Sequence, residues 1–267
     1  MRISVITINR NNEVGLKRTI ASVLAQSYRD FEYILVDGAS SDGSADVVRQ
    51  AGANTSVKWV SEPDSGIYNA MNKGIRMASG EYLLFLNSGD TFASISTLAD
   101  IKERLDGSDI IIGRVNVVSG ERIIRQSKQY EEQDLGMFNL YLQGVPHQAS
   151  FIRRSLLLEH PYDENLKINS DWKFFLQTIV LENRTVKLIP DFVANYDDAG
   201  ISSTHMDWLL DERERVFCDL VPDRIAKEYL AVFPHYYEVK RVKWLLEHPL
   251  YYKIYRMVAS AGMCLLK

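Results

Sequence analysis

Only two cysteines occur in the 267 residues, Cys218 and Cys264, and no Cys-x-x-Cys pair is present. A disulfide framework and a structural zinc site are therefore not expected. Proline is sparse, with seven in all, and no repeat or low-complexity stretch interrupts the chain. At 46% hydrophobic and 25% charged residues, the composition is that of a folded protein and excludes disorder. No apolar run reaches the ~18 residues of a membrane span. Met1-Arg2-Ile3-Ser4-Val5-Ile6 lacks the charged-then-apolar pattern of a secretion signal, so a reducing, cytoplasmic setting is expected. Gly-x-Gly-x-x-Gly is missing after the first apolar run, and Gly-x-x-x-x-Gly-Lys-Ser/Thr is missing everywhere. Both absences disfavour dinucleotide redox and P-loop chemistry. Positive charge is also short. Thirty-one Lys and Arg stand against 35 Asp and Glu, a net −4 that argues against a nucleic-acid partner.

That net value hides a division. Residues 236–267 carry +4 and six Tyr or Trp side chains, leaving −8 on residues 1–235. Val239, Val242 and Leu246 form one helical stripe before Pro249; Leu250, Ile254, Ala261 and Leu265 continue another after it, with Lys253 and Arg256 off it. Basic residues, aromatics and an apolar face suit a helix lying on a membrane surface. Docking on the body of the chain or on a second copy, as in a homo-oligomer, suits the stripes equally.

The rest reads as alternating strands and helices. Ile3–Ile8, Phe31–Val36, Val57–Val60 and Glu81–Leu86 are apolar strand candidates. Between them, Leu16, Ile20, Val23 and Leu24, then residues 44–50, then Ile67, Met71 and Ile75 give helical patterns. This order predicts an α/β fold with right-handed βαβ units and a mostly parallel sheet flanked by helices. After residue 100 the pattern changes. Residues 110–118 and 122–125 read as a hairpin, 149–152 and 186–189 as strands, and 171–181 as a helix with Asn169 or Ser170 near its start.

Ligands of such sheets bind beyond the carboxyl ends of the strands. Three ends carry polar clusters, Asn9–Asn12, Asp37–Asp42 and Asn87–Asp90, which are expected to converge on one pocket. Asp37 can accept from a base N–H or a ribose hydroxyl, and Asp90 can ligate a hard divalent cation of the kind that accompanies a diphosphate.

The segments Ala21–Tyr28, Phe31–Ser44, Gly66–Ile75 and Gly80–Asp90, followed by Pro146-His147-Gln148, Ser170-Asp171 and Gly200-Ile201-Ser202-Ser203, resemble the family 2 glycosyltransferases of GT-A fold. The resemblance spans roughly residues 1–204, its short motifs recurring in order. It implies a catalytic domain over 1–204, with a nucleotide-sugar half (1–100) and an acceptor half (101–204), and a helical extension over 205–267. It also implies sugar transfer from a nucleotide diphosphate-sugar to a hydroxyl, usually with inversion. On the donor side it points to Asn9, Asn11, Asp37, Asp64, Asn72, Asn87 and Asp90, with Asp37 on the nucleoside. Asp90 would hold Mn²⁺ or Mg²⁺, with His205 as a second candidate ligand. Asp171 would be the general base, and His147 and Gln148 would line the acceptor side. The expected acceptor is a lipid-linked oligosaccharide of a capsule, exopolysaccharide or O-antigen pathway, met at the inner face of the cell membrane.

Two departures stand out. Asn87-Ser88-Gly89-Asp90 replaces the Asp-x-Asp-Asp run common in the family, and Gly38 replaces a second Asp. Each acid also has a plainer role, Asp37 and Asp42 as turn formers and Asp64, Asp90 and Asp171 as helix caps. Two other functions remain open at this point. One is a sugar nucleotidyltransferase, although Asn9-Arg10-Asn11-Asn12 lacks the glycines of its phosphate loop. The other is a nucleotide-binding scaffold without activity.

Overall fold

The computed structural model describes residues 1–53, 57–120, 122–197 and 206–235, together with 238, 241, 244 and 246–265. His205 and the Gly200–Ser203 motif lie outside the described residues. One compact unit is Met1–Phe217 and a second is Cys218–Lys267.

A single sheet organises the first unit. Its strands are β1 (Ile3–Asn9), β2 (Phe31–Asp37), β3 (Val57–Ser61), β4 (Tyr82–Phe85), β5 (Thr91–Phe92), β6 (Ile110–Ser119), β7 (Arg122–Gln126), β8 (Ser150–Arg153) and β9 (Val186–Asp197). They are ordered β3-β2-β1-β4-β8-β6-β9-β5, with β7 on β6. The long ladders β1·β2, β2·β3 and β6·β9 are parallel. The short β8 runs antiparallel to both β4 and β6, so the two expected halves of the domain share one sheet.

Helices cover both faces: α1 (Glu13–Leu24), α2 (Ser44–Gly52), α3 (Ile67–Met77), α4 (Thr97–Lys102), α5 (Met137–Gln143), α6 (Arg154–Glu159) and α7 (Ser170–Phe175), the last continuing as a π-helix over Leu176–Leu181. Because β1 is sandwiched, every one of its residues is buried, which is why it reads as a continuous β-branched run. Leu16, Ile20 and Val23 of α1 join Val5, Tyr33, Leu35 and Leu84 in one core. On the other face Gly74 lets α3 approach β1 closely; a Cβ there would stand 2.5 Å from Ile6.

Two boundaries differ from those expected. The strand starting at Val186 runs on to Asp197, past Pro190, because the β6·β9 register shifts beside it and a bulge tolerates a residue without an N–H. The helix α8 (Met206–Leu220) begins within the first unit, not in the extension. Its Glu212 carboxylate accepts the backbone N–H groups of Lys167, Ile168 and Asn169 at 2.8–3.0 Å, tying it to the loop before α7. The second unit contains α9 (Asp223–Val232) and α10 (Pro249–Leu265).

Candidate active site

A cavity of about 830 Å³ opens at the carboxyl ends of β1 and β4. Asn9, Asn11, Asp64, Asn87, Asp90, His147, Gln148 and Asp171 all line it. The parallel ladder sets Asn9 level with Asp37 and brings the loop after β4 beside them.

Asp37 is not part of the wall. It is fully buried, and both its oxygens are occupied. Oδ1 accepts from Asn9 Nδ2 at 2.9 Å and Ser40 Oγ at 2.5 Å, and Oδ2 from Ser40 N–H at 3.0 Å and Ser61 Oγ at 2.7 Å. Burial pushes its carboxyl up, but these bonds outweigh burial and hold it below the usual range. Ser40 in turn receives the Asn11 backbone N–H at 2.8 Å, so Asp37 shapes the Asn9–Asn11 loop from beneath instead of presenting a free acceptor to a nucleoside.

Asn72 also stands outside the cavity. Its amide bonds both backbone groups of Tyr162 and the Glu164 carboxylate, so it fastens α3 to the segment before α7 and has no donor-facing group to spare. Asp42 receives the N–H groups of Glu13 and Ser44 at the starts of α1 and α2.

Asp64 explains one departure. Its side chain is nearly buried; it accepts the Gly66 N–H at 3.1 Å and pairs with Arg10 at 3.6 Å. A Cβ on Gly38 would lie 2.1 Å from Asp64 Oδ2. The carboxylate that the family often carries after β2 is thus displaced here by one arriving from the loop after β3.

No helix begins at Asp90, which is followed by β5, so it caps nothing. Its buried carboxyl is pushed up to about 7, first by burial, with Asp197 adding to the effect and His147 opposing it. The Asp197 backbone N–H donates to Asp90 Oδ1 at 3.3 Å, and Arg18 bridges the Asp197 carboxylate and Gly89 O. Two carboxylates at one wall, one of them deeply buried, fit a hard divalent cation, which would be held by Asp90 and Asp197. Asp197 was not anticipated, because the strand that delivers it was read as ending at Ile189. Its signal was the acidic Asp197-Asp198 pair before the Gly-Ile-Ser-Ser motif. Elsewhere, Glu159, His160 and Glu182 converge. Arg184 bonds both glutamates there, making an ion-pair network outside the cavity.

Asp171 lies in the first turn of α7, where the helix N-terminus favours negative charge. Its Oδ1 accepts from the Trp172 N–H and faces the Tyr68 hydroxyl, both at 2.9 Å, that hydroxyl sharing its one proton with the Ile168 carbonyl; its Oδ2 accepts from His147 Nδ1 at 2.8 Å. Burial raises its carboxyl, but His147 and then Tyr68 outweigh burial and hold it below the usual range. For His147 the balance is mirrored. Burial lowers the imidazole, yet Asp171 and then Asp90 bring it above its ordinary value. The other ring nitrogen, Nε2, stands 3.3 Å from Asn87 Nδ2. Tyr68 was missed because it sits beside the apolar stripe of α3 and reads as core.

Comparison with known proteins places the chain in a family. Residues 4–160 match Glycosyl transferase family 2. The chain is 37% identical over 211 residues to an uncharacterized glycosyltransferase of Mycobacterium tuberculosis, covering 75% of this chain and 77% of that one. It is 28% identical over 211 residues to a PGL/p-HBAD biosynthesis glycosyltransferase of Mycobacterium bovis, covering 76% and 80%. In fold it is similar to Staphylococcus aureus TarS residues 1–349 in complex with UDP-GlcNAc, with a TM-score of 0.64 at 22% identity over 87% of this chain and 71% of that one. It is also similar to the mannosyltransferase PcManGT of Pyrobaculum calidifontis in complex with GDP-Man and Mn²⁺, with a TM-score of 0.61 at 17% identity over 86% and 68%. The chain belongs to glycosyl transferase family 2 and is a nucleotide-sugar-dependent glycosyltransferase.

Proposed function

We propose that this glycosyltransferase moves a sugar, with inversion, from a nucleoside diphosphate donor to a hydroxyl of a lipid-borne glycan, in a metal-dependent reaction. The observation that carries the proposal is the meeting of Asp90, Asp197 and Asp171 on one cavity. Asp90 and Asp197 are the residues that would hold Mn²⁺ or Mg²⁺, whose charge would stabilise the leaving diphosphate. The Mn²⁺ in the PcManGT complex supports that reading. Asp171 is the carboxylate around which the acceptor hydroxyl loses its proton. Attack from the face opposite the diphosphate inverts the anomeric centre. Asn9, Asn11, Asp64 and Asn87 face the donor, while His147 and Gln148 face the acceptor. The relative named for PGL/p-HBAD biosynthesis supports an amphiphilic acceptor.

A membrane role for the tail is favoured by α10. It holds no acidic residue, and Leu250, Ile254, Met257 and Val258 are exposed on it. We assign it to peripheral contact with an anionic membrane that carries the acceptor.

The test starts from UDP, GDP, dTDP and CMP titrated with and without Mn²⁺, which identifies the donor base. Asp171→Asn is then expected to lower turnover about 10²–10⁴-fold while leaving the Mn²⁺-dependent nucleotide Kd within a few-fold. Turnover at the parental rate removes Asp171 from the reaction.

A further inference from the structure

The Asp171 carboxylate is poorly placed to take a proton by itself. A carboxylate offers about four acceptor directions; here the Trp172 N–H and His147 Nδ1 occupy two, and the Tyr68 hydroxyl, whose one proton is shared with the Ile168 carbonyl, stands against a third. The same bonds weaken it as a base. His147 is placed the other way. In its neutral form, an imidazole whose Nδ1 lies against a carboxylate keeps its proton on that nitrogen, which leaves the Nε2 lone pair free to accept. Among the described residues that lone pair meets a long contact from the neutral Asn87 amide, at 3.3 Å, which a hydroxyl can displace. The two ring nitrogens point apart. Nδ1 looks toward α7, and Nε2 looks toward the loop carrying Asn87 and Asp90, the donor side of the cavity.

We infer that His147 and Asp171 act as a dyad in which His147 Nε2 takes the proton of the acceptor hydroxyl and Asp171 holds and stabilises the imidazolium. This rests on the proposed transfer at this cavity and names the atom that receives the proton. In the step, the hydroxyl O–H bond breaks and its proton forms an N–H bond at Nε2. The oxygen electron pair bonds the anomeric carbon, and the bond from that carbon to the diphosphate breaks with its electrons on the phosphate oxygen. The Nδ1 proton stays between His147 and Asp171 throughout. The division of roles is that of a base oriented by a third group.

His147→Asn separates the two functions of the ring. The asparagine Nδ2 can still donate to Asp171, as Nδ1 does, but nothing replaces the Nε2 lone pair. The reaction read is hydrolysis of the nucleotide sugar, chosen from UDP-, GDP- and dTDP-sugars, in Mn²⁺, with water standing in for the acceptor. The dyad requires kcat to fall about 10²-fold or more in His147→Asn with the nucleoside diphosphate Kd within a few-fold. Turnover at the parental rate in His147→Asn together with an inactive Asp171→Asn overturns the dyad and leaves Asp171 as the direct base. Parental rates in both variants remove the proposed site itself. A His147→Asn defect in nucleotide Kd instead of kcat assigns His147 to the donor and also overturns the dyad. Imidazole ¹⁵N spectra of the full chain give a readout without turnover. The dyad requires a protonated Nδ1 and an unprotonated Nε2 on the neutral ring, and the opposite tautomer refutes it.

Discussion

A buried acid without a full positive partner costs stability in proportion to its ionisation, and among the described residues Asp90 is such an acid. Its carboxyl ionises near 7 in the folded chain against 3.8 as its ordinary value. The folded value is the higher one, so the penalty is absent below about 4, grows as pH rises, and is complete above 7. Three pKa units correspond to roughly 4 kcal/mol at most. Without divalent metal, Asp90→Asn is therefore expected to be more stable than the parent at pH 8, with the gain closing toward pH 4. Urea unfolding in EDTA across that range measures it. Equal stability at pH 8 means that the carboxyl is not held up. The sequence exposed Asp90 and Asp171 because each ends a strand or opens a helix in a recurring motif. It could not expose which lone pairs were already spent, so Asp37 and Asn72 read as donor contacts although both are consumed in holding loops. Gly38 became interpretable only when Asp64, 26 residues later, was found filling the space of its missing Cβ.

Between elements, the same chemistry works in the opposite direction. Glu32 sits inside β2, and its carboxylate joins three neighbours at the end of the sheet away from the cavity. Ser4 of β1 donates at 2.5 Å, the Ser79 backbone before β4 at 2.7 Å, and Lys58 of β3 pairs at 2.5 Å. Burial pushes this carboxyl up, but Lys58, Ser4 and Ser79 outweigh burial and bring it to about 2, below the ordinary 4.5. A depressed folded value stabilises above the unfolded one and is lost as pH falls through the folded one. About 3 kcal/mol of stability is thus present above pH 4.5 and disappears toward pH 2. Glu32→Gln is expected to be less stable by up to that amount at pH 7 and to converge on the parent near pH 2; a constant difference across the range refutes the linkage. At this scale the sequence was most legible. The βαβ order, the hairpin and the strand at 150–153 all follow from apolar period and turn residues. What escaped was what partners decide: β9 continues past Pro190 because β6 pairs with it, and α8 begins in the first unit, where Glu212 satisfies three loop N–H groups.

Over the whole molecule, the charge division becomes a question of where the chain works. A body at −8 is repelled by an anionic bilayer, so any approach depends on the +4 segment. Among the described residues no helix is long and apolar enough to cross a membrane, and the proposed contact of α10 is therefore tested as surface binding. In the proposed contact the exposed apolar side chains Leu250, Ile254, Met257 and Val258 would supply burial among lipid tails. Lys253 and Arg256 would supply attraction to lipid phosphates, each basic residue contributing about 1 kcal/mol near an anionic surface. Reversing both charges, Lys253→Glu with Arg256→Glu, therefore removes about 2 kcal/mol of attraction and adds repulsion of similar size. Vesicle binding should fall by well over tenfold. In co-sedimentation with phosphatidylglycerol–phosphatidylcholine vesicles at ~0.1 M salt, where charges interact across about 10 Å, the parent is expected in the pellet and the double variant in the supernatant. Pure phosphatidylcholine should bind neither well. Nucleotide binding in Mn²⁺ should be unchanged in the variant, since both residues lie in the second unit, outside the cavity lining. A parent that stays in the supernatant with anionic vesicles assigns the apolar stripe to a protein partner instead, with a second copy of the chain the first to test.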